Sequence, residues 1–381
     1  MQSTIFTSNQ FQLLRSGAQY FTRLIELIER AAHTIHIQVY IFDWDETGYK
    51  VIEALRNASA RGVAIWLVVD AYASPGFTDG RVAELQQYGW NVKRFAPFRI
   101  HTFKIGRRMH HKIVLIDGQT ALIGGINIAN KYSGLAYSNT WLDVAAEITG
   151  PVCNAVETIC KNSWPRRMRK RLKHSSPSFD LKMPTKIRLT QNDWWRRKIE
   201  ISRSYRNAIR KSQNDLILVA SYFLPSYRKR RLLQKATERG VFITLIVGRL
   251  SDVPFIRAAQ YYLYTILLKQ GIRIYEWKQS VLHAKFAVAD AKWATIGSYN
   301  LNALSDYGSL ELNVEILDEK VNQDTRVFIQ SIIAEGCEPV NPESFKGTIN
   351  LFKQAYWWCC YQLLRFSLFL LFAFMKRDRL K

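Results

Sequence analysis

The chain has 381 residues and a formal net charge of +23, from 54 Lys and Arg against 31 Asp and Glu. With 48% hydrophobic and 22% charged residues it is neither disordered nor collagen-like, and its length suits two domains better than one small core. So large a basic excess calls for an anionic partner, nucleic acid or acidic membrane lipid, and charge alone does not choose between them.

The N-terminus, MQSTIFTSNQFQLLRSG, lacks a basic start followed by an apolar run, so it does not read as a signal peptide. Residues 34–42 alternate and are rich in β-branched and aromatic side chains, as a strand requires. A helix then ends at Ala58-x-x-Arg61-Gly62-Val63, and VAIWLVVD follows as a buried strand. The second half repeats this order. LILVASYF, from Leu216, is a strand, a helix ends at Ala236-x-x-Arg239-Gly240-Val241, and VFITLIVG is the next strand. Each Gly stands where a helix stops and reverses, the left-handed capping position. The chain is therefore an internal duplication of strand–helix–strand units, which implies parallel strands with helices packed on the sheet faces.

The predicted divisions are a first lobe over 1–163, a basic linker over 164–200, a second lobe over 201–344 and a hydrophobic tail over 345–381. The linker carries the basic run 166–173 and then SSPSFD. The tail reads AYWWCCYQLLRFSLFLLFAFM before Lys376-Arg377-Asp378-Arg379. It approaches bilayer-spanning length, yet Gln362 and Arg365 sit near its centre, and aromatic rings cluster at one end. That pattern predicts an interfacial helix in contact with a membrane. The five cysteines, an odd number with no CxxC pair, read as free thiols in a reducing compartment.

Chemistry concentrates in two matching segments. The first is His110-His111-Lys112-IVLI-Asp117-GQTALI-Gly124-Gly125-Ile126-Asn127, the second His283-Ala284-Lys285-FAVA-Asp290-AKWATI-Gly297-Ser298-Tyr299-Asn300. Six constrained positions recur in register, which removes nearly all risk of coincidence. In H-x-K the His and Lys share one face of a strand, and the apolar run carries the strand into the core. Two such units facing each other would surround a phosphoryl group. Lys112 and Lys285 would neutralise charge, while Asn127, Asn300 and Ser298 would donate hydrogen bonds. No carboxylate cluster suggests Mg²⁺, and the two lysines perform its electrostatic task. With two imidazoles, one can attack phosphorus while the other protonates the departing oxygen and then deprotonates the acceptor. His33, His36, His101, His174 and His111 read as ordinary histidines, the last because it points away from the face of His110 and Lys112.

The paired motifs resemble the HKD signature of the phospholipase D superfamily over nearly the whole chain. Ser221-Tyr222-Phe223-Leu224-Pro225, Ser251-Asp252, Gly271-Ile272-Arg273-Ile274-Tyr275-Glu276, Tyr40-Ile41-Phe42, Asp45, Gly48, Trp141-Leu142-Asp143 and Gly150-Pro151 look like its bacterial cardiolipin synthase branch. The resemblance is to shorter members without N-terminal transmembrane helices. It implies a bilobal α/β fold, each lobe a mixed β-sheet flanked by helices, with the site between lobes. It also implies a phosphohistidine intermediate, neither metal nor other cofactor, and transfer of a phosphatidyl group to the hydroxyl of phosphatidylglycerol. The donor is phosphatidylglycerol or phosphatidylethanolamine. By the same resemblance His110 is the nucleophile and His283 the acid/base, in a catalytic set of His110, Lys112, Asp117, His283, Lys285 and Asp290. Within that set, Asp117 and Asp290 favour a structural role at a strand end, because distance along the strand separates them from the phosphate. In the family an acidic residue about thirty positions past each H-x-K orients the opposite lobe's histidine, and Asp143 and Glu315 occupy that spacing. The expected setting is the cytoplasmic face of a bacterial inner membrane, peripheral or monotopic, with no nucleic acid. The alternative is a hydrolase of the same superfamily acting on phospholipid or nucleic acid.

Overall fold

The computed structural model describes residues 4–97, 107–134, 140–169, 184–347 and 350–379. His101, His174 and the basic run from Lys170 to Lys173 lie outside the described residues. The first half supplies strands β1 (Ile5–Leu14), β2 (Thr34–Val39), β3 (Ala64–Asp70), β4 (Asn91–Phe95), β5 (Arg108–Met109), β6 (Lys112–Ile116), β7 (Thr120–Gly124) and β8 (Ala145–Thr149). The second supplies β9 (Thr185–Asp193), β10 (Lys198–Ile199), β11 (Asp215–Ala220), β12 (Phe242–Leu250), β13 (Arg273–Val281), β14 (Phe286–Ala289), β15 (Trp293–Gly297), β16 (Ser309–Ile316) and β17 (Cys337–Pro339).

One sheet runs β4-β3-β2-β6-β7-β8-β1, parallel among its first three strands and antiparallel beyond. The other runs β17-β13-β12-β11-β14-β15-β16-β9, parallel only among β13, β12 and β11. Strand β1 joins them, because residues 5–9 pair with β9 and residues 10–14 with β8. The inner faces of the sheets pack together through Ile113, Leu115, Ile123 and Ile148 on one side and Ile217, Val288, Ile296 and Val314 on the other. Helices Gly17–Arg30 and Glu46–Ala60 cover the outside of the first sheet; Glu200–Lys211, Tyr227–Glu238 and Pro254–Lys269 cover the second. Each motif strand is thus buried on both faces, which is why IVLI and FAVA are continuous apolar runs rather than alternating ones. Gly62 and Gly240 reverse the helix ends with φ of +92° and +89°, where a Cβ would be strained.

The expected linker needs correction. The segment read as linker contains β9, which pairs with both β1 and β16 at the centre of the molecule. Ile187 and Leu189 alternate with Lys186 and Arg188 as a strand requires, and Arg188 pairs with Glu315. The tail helix, Leu351–Arg379, is partly docked on the protein itself. Cys360 and Tyr361 are buried, and Trp357 stacks on Tyr261 with ring centroids 5.0 Å apart. The opposite face leaves Phe352, Tyr356, Leu363, Phe366 and Leu370 exposed, a stripe at helical spacing. Among the described residues, no helix is long and apolar enough to cross a membrane.

Candidate active site

The two halves meet through matching crossings. The carbonyl of Leu310 accepts from the backbone N–H groups of His110 and His111, and that of Leu142 accepts from His283 and Ala284. The residue after each crossing carbonyl is a carboxylate. Asp143 Oδ2 lies 2.6 Å from His283 Nδ1, and Glu311 Oε2 lies 2.9 Å from His110 Nδ1. Each imidazole is therefore oriented by a carboxylate of the other half, which holds a proton on Nδ1 and turns Nε2 toward the site.

Glu315 is not the partner of His110. It is fully buried but bonds Arg188 and Thr190. The structural register explains the error. Gly124 pairs with Ala145, whereas the corresponding Gly297 pairs with Asn313. The second half is five residues shorter between motif and strand, so a fixed spacing overshoots. Aligned by strand, Leu142-Asp143-VAA-Glu147-Ile148 matches Leu310-Glu311-LNV-Glu315-Ile316, a signal the sequence did contain. In that alignment Glu315 corresponds to Glu147, which binds Arg23.

Ser298 also differs from expectation. Its hydroxyl donates to Glu311 Oε2 at 2.5 Å and accepts from Leu312 N–H, so it supports the carboxylate rather than a phosphate. At the matching position Gly125 has no side chain, and a Cβ there would come 2.4 Å from Asp143 Oδ1. The shorter Asp143 is steadied by Val144 N–H instead. Asn127 is committed on both sides, accepting from Ile41 N–H and donating to the Tyr132 hydroxyl. The Asn300 carbonyl oxygen is buried with no partner among the described residues. Asp117 and Asp290 stay out of the site. Asp117 accepts from the N–H groups of Ala32, His33 and Thr34, and Asp290 from Gln213, Asn214 and Asp215, each carboxylate clamping the start of the neighbouring strand. His111 binds Gln38 on the far side of its strand, His36 is buried against Trp66, and His33 is exposed.

Lys112 and Lys285 are almost wholly buried, and each donates to the carbonyl of its own motif histidine. Burial, reinforced by Lys285, pushes Lys112 down to about 7, and burial brings Lys285 down to about 8 against the pull of Asp143 and Glu311. Burial and Lys285 lower His283 to about 3 despite Asp143, and burial also lowers His110 despite Glu311. Burial therefore favours the uncharged form of both imidazoles and loosens the hold of both lysines on their protons. A bound phosphodiester reverses that balance, because its charge favours both ammonium groups and the imidazolium. Tyr40 packs edge-on against His110 at 5.0 Å with Lys112 Nζ 5.1 Å from its ring, and Tyr132 and Trp141 enclose His283. Among the described residues, no three His, Cys, Asp or Glu side chains converge as a metal site requires.

Phosphatidylserine synthase from Haemophilus influenzae Rd KW20 shares this fold, with a TM-score of 0.71 at 17% identity over 97% of this chain and 94% of that one. A family model described as cardiolipin synthase, PLD-like domain, matches residues 24–159 and 205–333. The chain belongs to that family. Among cardiolipin synthases, cardiolipin synthase B of Salmonella typhi is 33% identical over 344 residues, 87% of this chain and 82% of the relative. Cardiolipin synthase B of Escherichia coli K12 is also 33% identical, over 346 residues with the same coverage. Cardiolipin synthase 1 of Staphylococcus epidermidis is 26% identical, over 86% of this chain and 68% of its own. The duplicated unit that these matches span is the one holding both imidazole–carboxylate pairs.

Proposed function

We propose that the protein is a cardiolipin synthase-type phosphatidyltransferase that moves a phosphatidyl group from one phospholipid to the hydroxyl of phosphatidylglycerol through a phosphohistidine. The observation that carries this reading is the pair of imidazole–carboxylate contacts made across the two halves, with two buried lysines beside them. His110 Nε2, its Nδ1 proton held by Glu311, attacks phosphorus. The bond from phosphorus to the headgroup oxygen breaks, and His283 gives that oxygen its Nε2 proton. The alcohol leaves. A hydroxyl of phosphatidylglycerol enters and passes its proton to His283 as its oxygen attacks, and the N–P bond breaks with its electron pair returning to His110. Lys112 and Lys285 counter the charge on the non-bridging oxygens throughout. The site residues are then His110, Lys112, His283, Lys285 and Asn300, with Asp143 and Glu311 orienting and Asn127 and Ser298 positioning.

The substrates live in a membrane, and the outer face of the tail helix supports contact with one. Phe352, Tyr356, Leu363 and Phe366 are exposed beside Lys353 and Arg365, apolar rings and basic groups together on one surface. A net charge of +23 favours anionic lipid, so the protein acts from the cytoplasmic face of a bacterial inner membrane. The test incubates purified protein in detergent with phosphatidylglycerol, with and without phosphatidylethanolamine, and follows products by mass. Cardiolipin is expected, and His110→Ala and His283→Ala each abolish it. Phosphatidic acid alone, or cleaved DNA with no lipid product, overturns the reading in favour of a hydrolase.

A further inference from the structure

The duplication gives an internal comparison between the two walls of the site. Ile37 pairs with Val114 in the first motif strand, and Leu218 pairs with the corresponding Ala287 in the second. Three residues on, Tyr40 therefore corresponds to Ser221, and Ile41 to Tyr222. The first wall is closed by an aromatic ring, Tyr40 over His110 and Lys112. At the corresponding place the second half carries the hydroxyl of Ser221 in place of that ring. Next to it the Tyr222 phenol donates to Asp252 Oδ1 at 2.5 Å. Asp252 acts electrostatically on Lys285, and both Tyr222 and Asp252 on Tyr132, which packs against His283.

Asp252 is exposed, and none of its contacts among the described residues is with a cation. A carboxylate beside a phosphodiester site weakens phosphate binding by like-charge repulsion, so its place there needs another reason. A hydroxyl-rich headgroup supplies one. A phosphodiester has an apolar diacylglycerol side and a polar alcohol side, and the hydroxyls of Ser221 and Tyr222 with the Asp252 carboxylate suit the polar one.

We propose that Ser221, Tyr222 and Asp252 form the alcohol subsite and select a vicinal diol, the glycerol headgroup of the acceptor. One hydroxyl of the diol faces His283, and its neighbour donates to Asp252, which Tyr222 holds in place. This rests on the phosphatidyltransferase reading and adds the residues that determine acceptor specificity.

The test lets deuterated glycerol and 1-propanol compete for the phosphatidyl group of phosphatidylglycerol, with ethanolamine in a separate arm, and measures products by mass. Wild type favours glycerol over 1-propanol. Asp252→Ala lowers that preference by about tenfold to a hundredfold, the range expected when a site built to bond a hydroxyl loses its partner. Tyr222→Phe lowers it less. The readout is a ratio, so a misfolded fraction reduces both products and leaves it unmoved. An unchanged preference in both variants overturns the subsite alone. A loss confined to ethanolamine overturns the diol assignment in favour of an ammonium site. No transfer to any alcohol by the wild type overturns the phosphatidyltransferase reading, and the subsite with it.

Discussion

Lys112 is held in its native place at a cost that depends on pH, and Lys112→Met measures that cost. Burial and the nearby Lys285 bring its ammonium down to about 7, whereas in the unfolded chain it titrates at the ordinary 10.5. Between those values the unfolded state binds more protons than the native one, so stability rises with pH. Each pH step there is worth about 1.4 kcal/mol, so from pH 9.5 down to pH 7 the wild type loses about 3 kcal/mol that the methionine variant keeps. Packing differences between the two side chains are the same at every pH and cancel in this slope. Removing the charge also relieves Lys285, which acts in the same direction. Urea unfolding followed by tryptophan fluorescence at pH 7, 8 and 9.5 gives the comparison directly. The variant gains on the wild type as pH falls. Parallel stability curves for the two proteins refute the claim that Lys112 is buried as a disfavoured cation.

Glu311→Gln lowers transfer by about a thousandfold or more, because the imidazole loses the charge that fixes its tautomer. Glu315→Gln stays within about tenfold of wild-type activity while lowering the unfolding midpoint, since Arg188 loses its buried partner; steady-state rates and melting curves on both variants separate the two roles. Asp117→Ala and Asp290→Ala each destabilise by about 2–3 kcal/mol through lost charge-assisted bonds to three backbone N–H groups, with the transfer rate per folded molecule little changed. Leu363→Ser with Phe366→Ser reduces binding to phosphatidylglycerol vesicles several-fold in a sedimentation assay and leaves the melting curve in place, because both side chains are exposed. Equal loss of binding and of melting temperature in that variant argues for a structural tail instead.

How much of this was legible in the sequence differs from residue to residue. His110, Lys112, His283 and Lys285 stood out because chemistry and strand period constrain the same positions, and two copies repeat them in register. The capping glycines 62 and 240 were legible for the same reason, since a local backbone demand admits few residue types. Glu311 was missed because the loop before β16 is shorter than its counterpart, and spacing along a chain does not measure pairing across a sheet. Ser298 was misread because its hydroxyl direction depends on Glu311 arriving from another strand. Strand β9 was hidden because the basic run and SSPSFD before it set the reading of the whole segment, although Ile187 and Leu189 alternate with Lys186 and Arg188.

What the sequence by itself determined is a duplicated α/β chain of the cardiolipin synthase family with two H-x-K units. That information is local and repeated, so it survives without coordinates. Only the tertiary structure decided which carboxylate meets which histidine, which face of the tail helix is covered, and which aromatic rings enclose each imidazole. Those facts depend on register and on contacts between residues far apart in the chain, where one insertion moves every partner and no local pattern records the change.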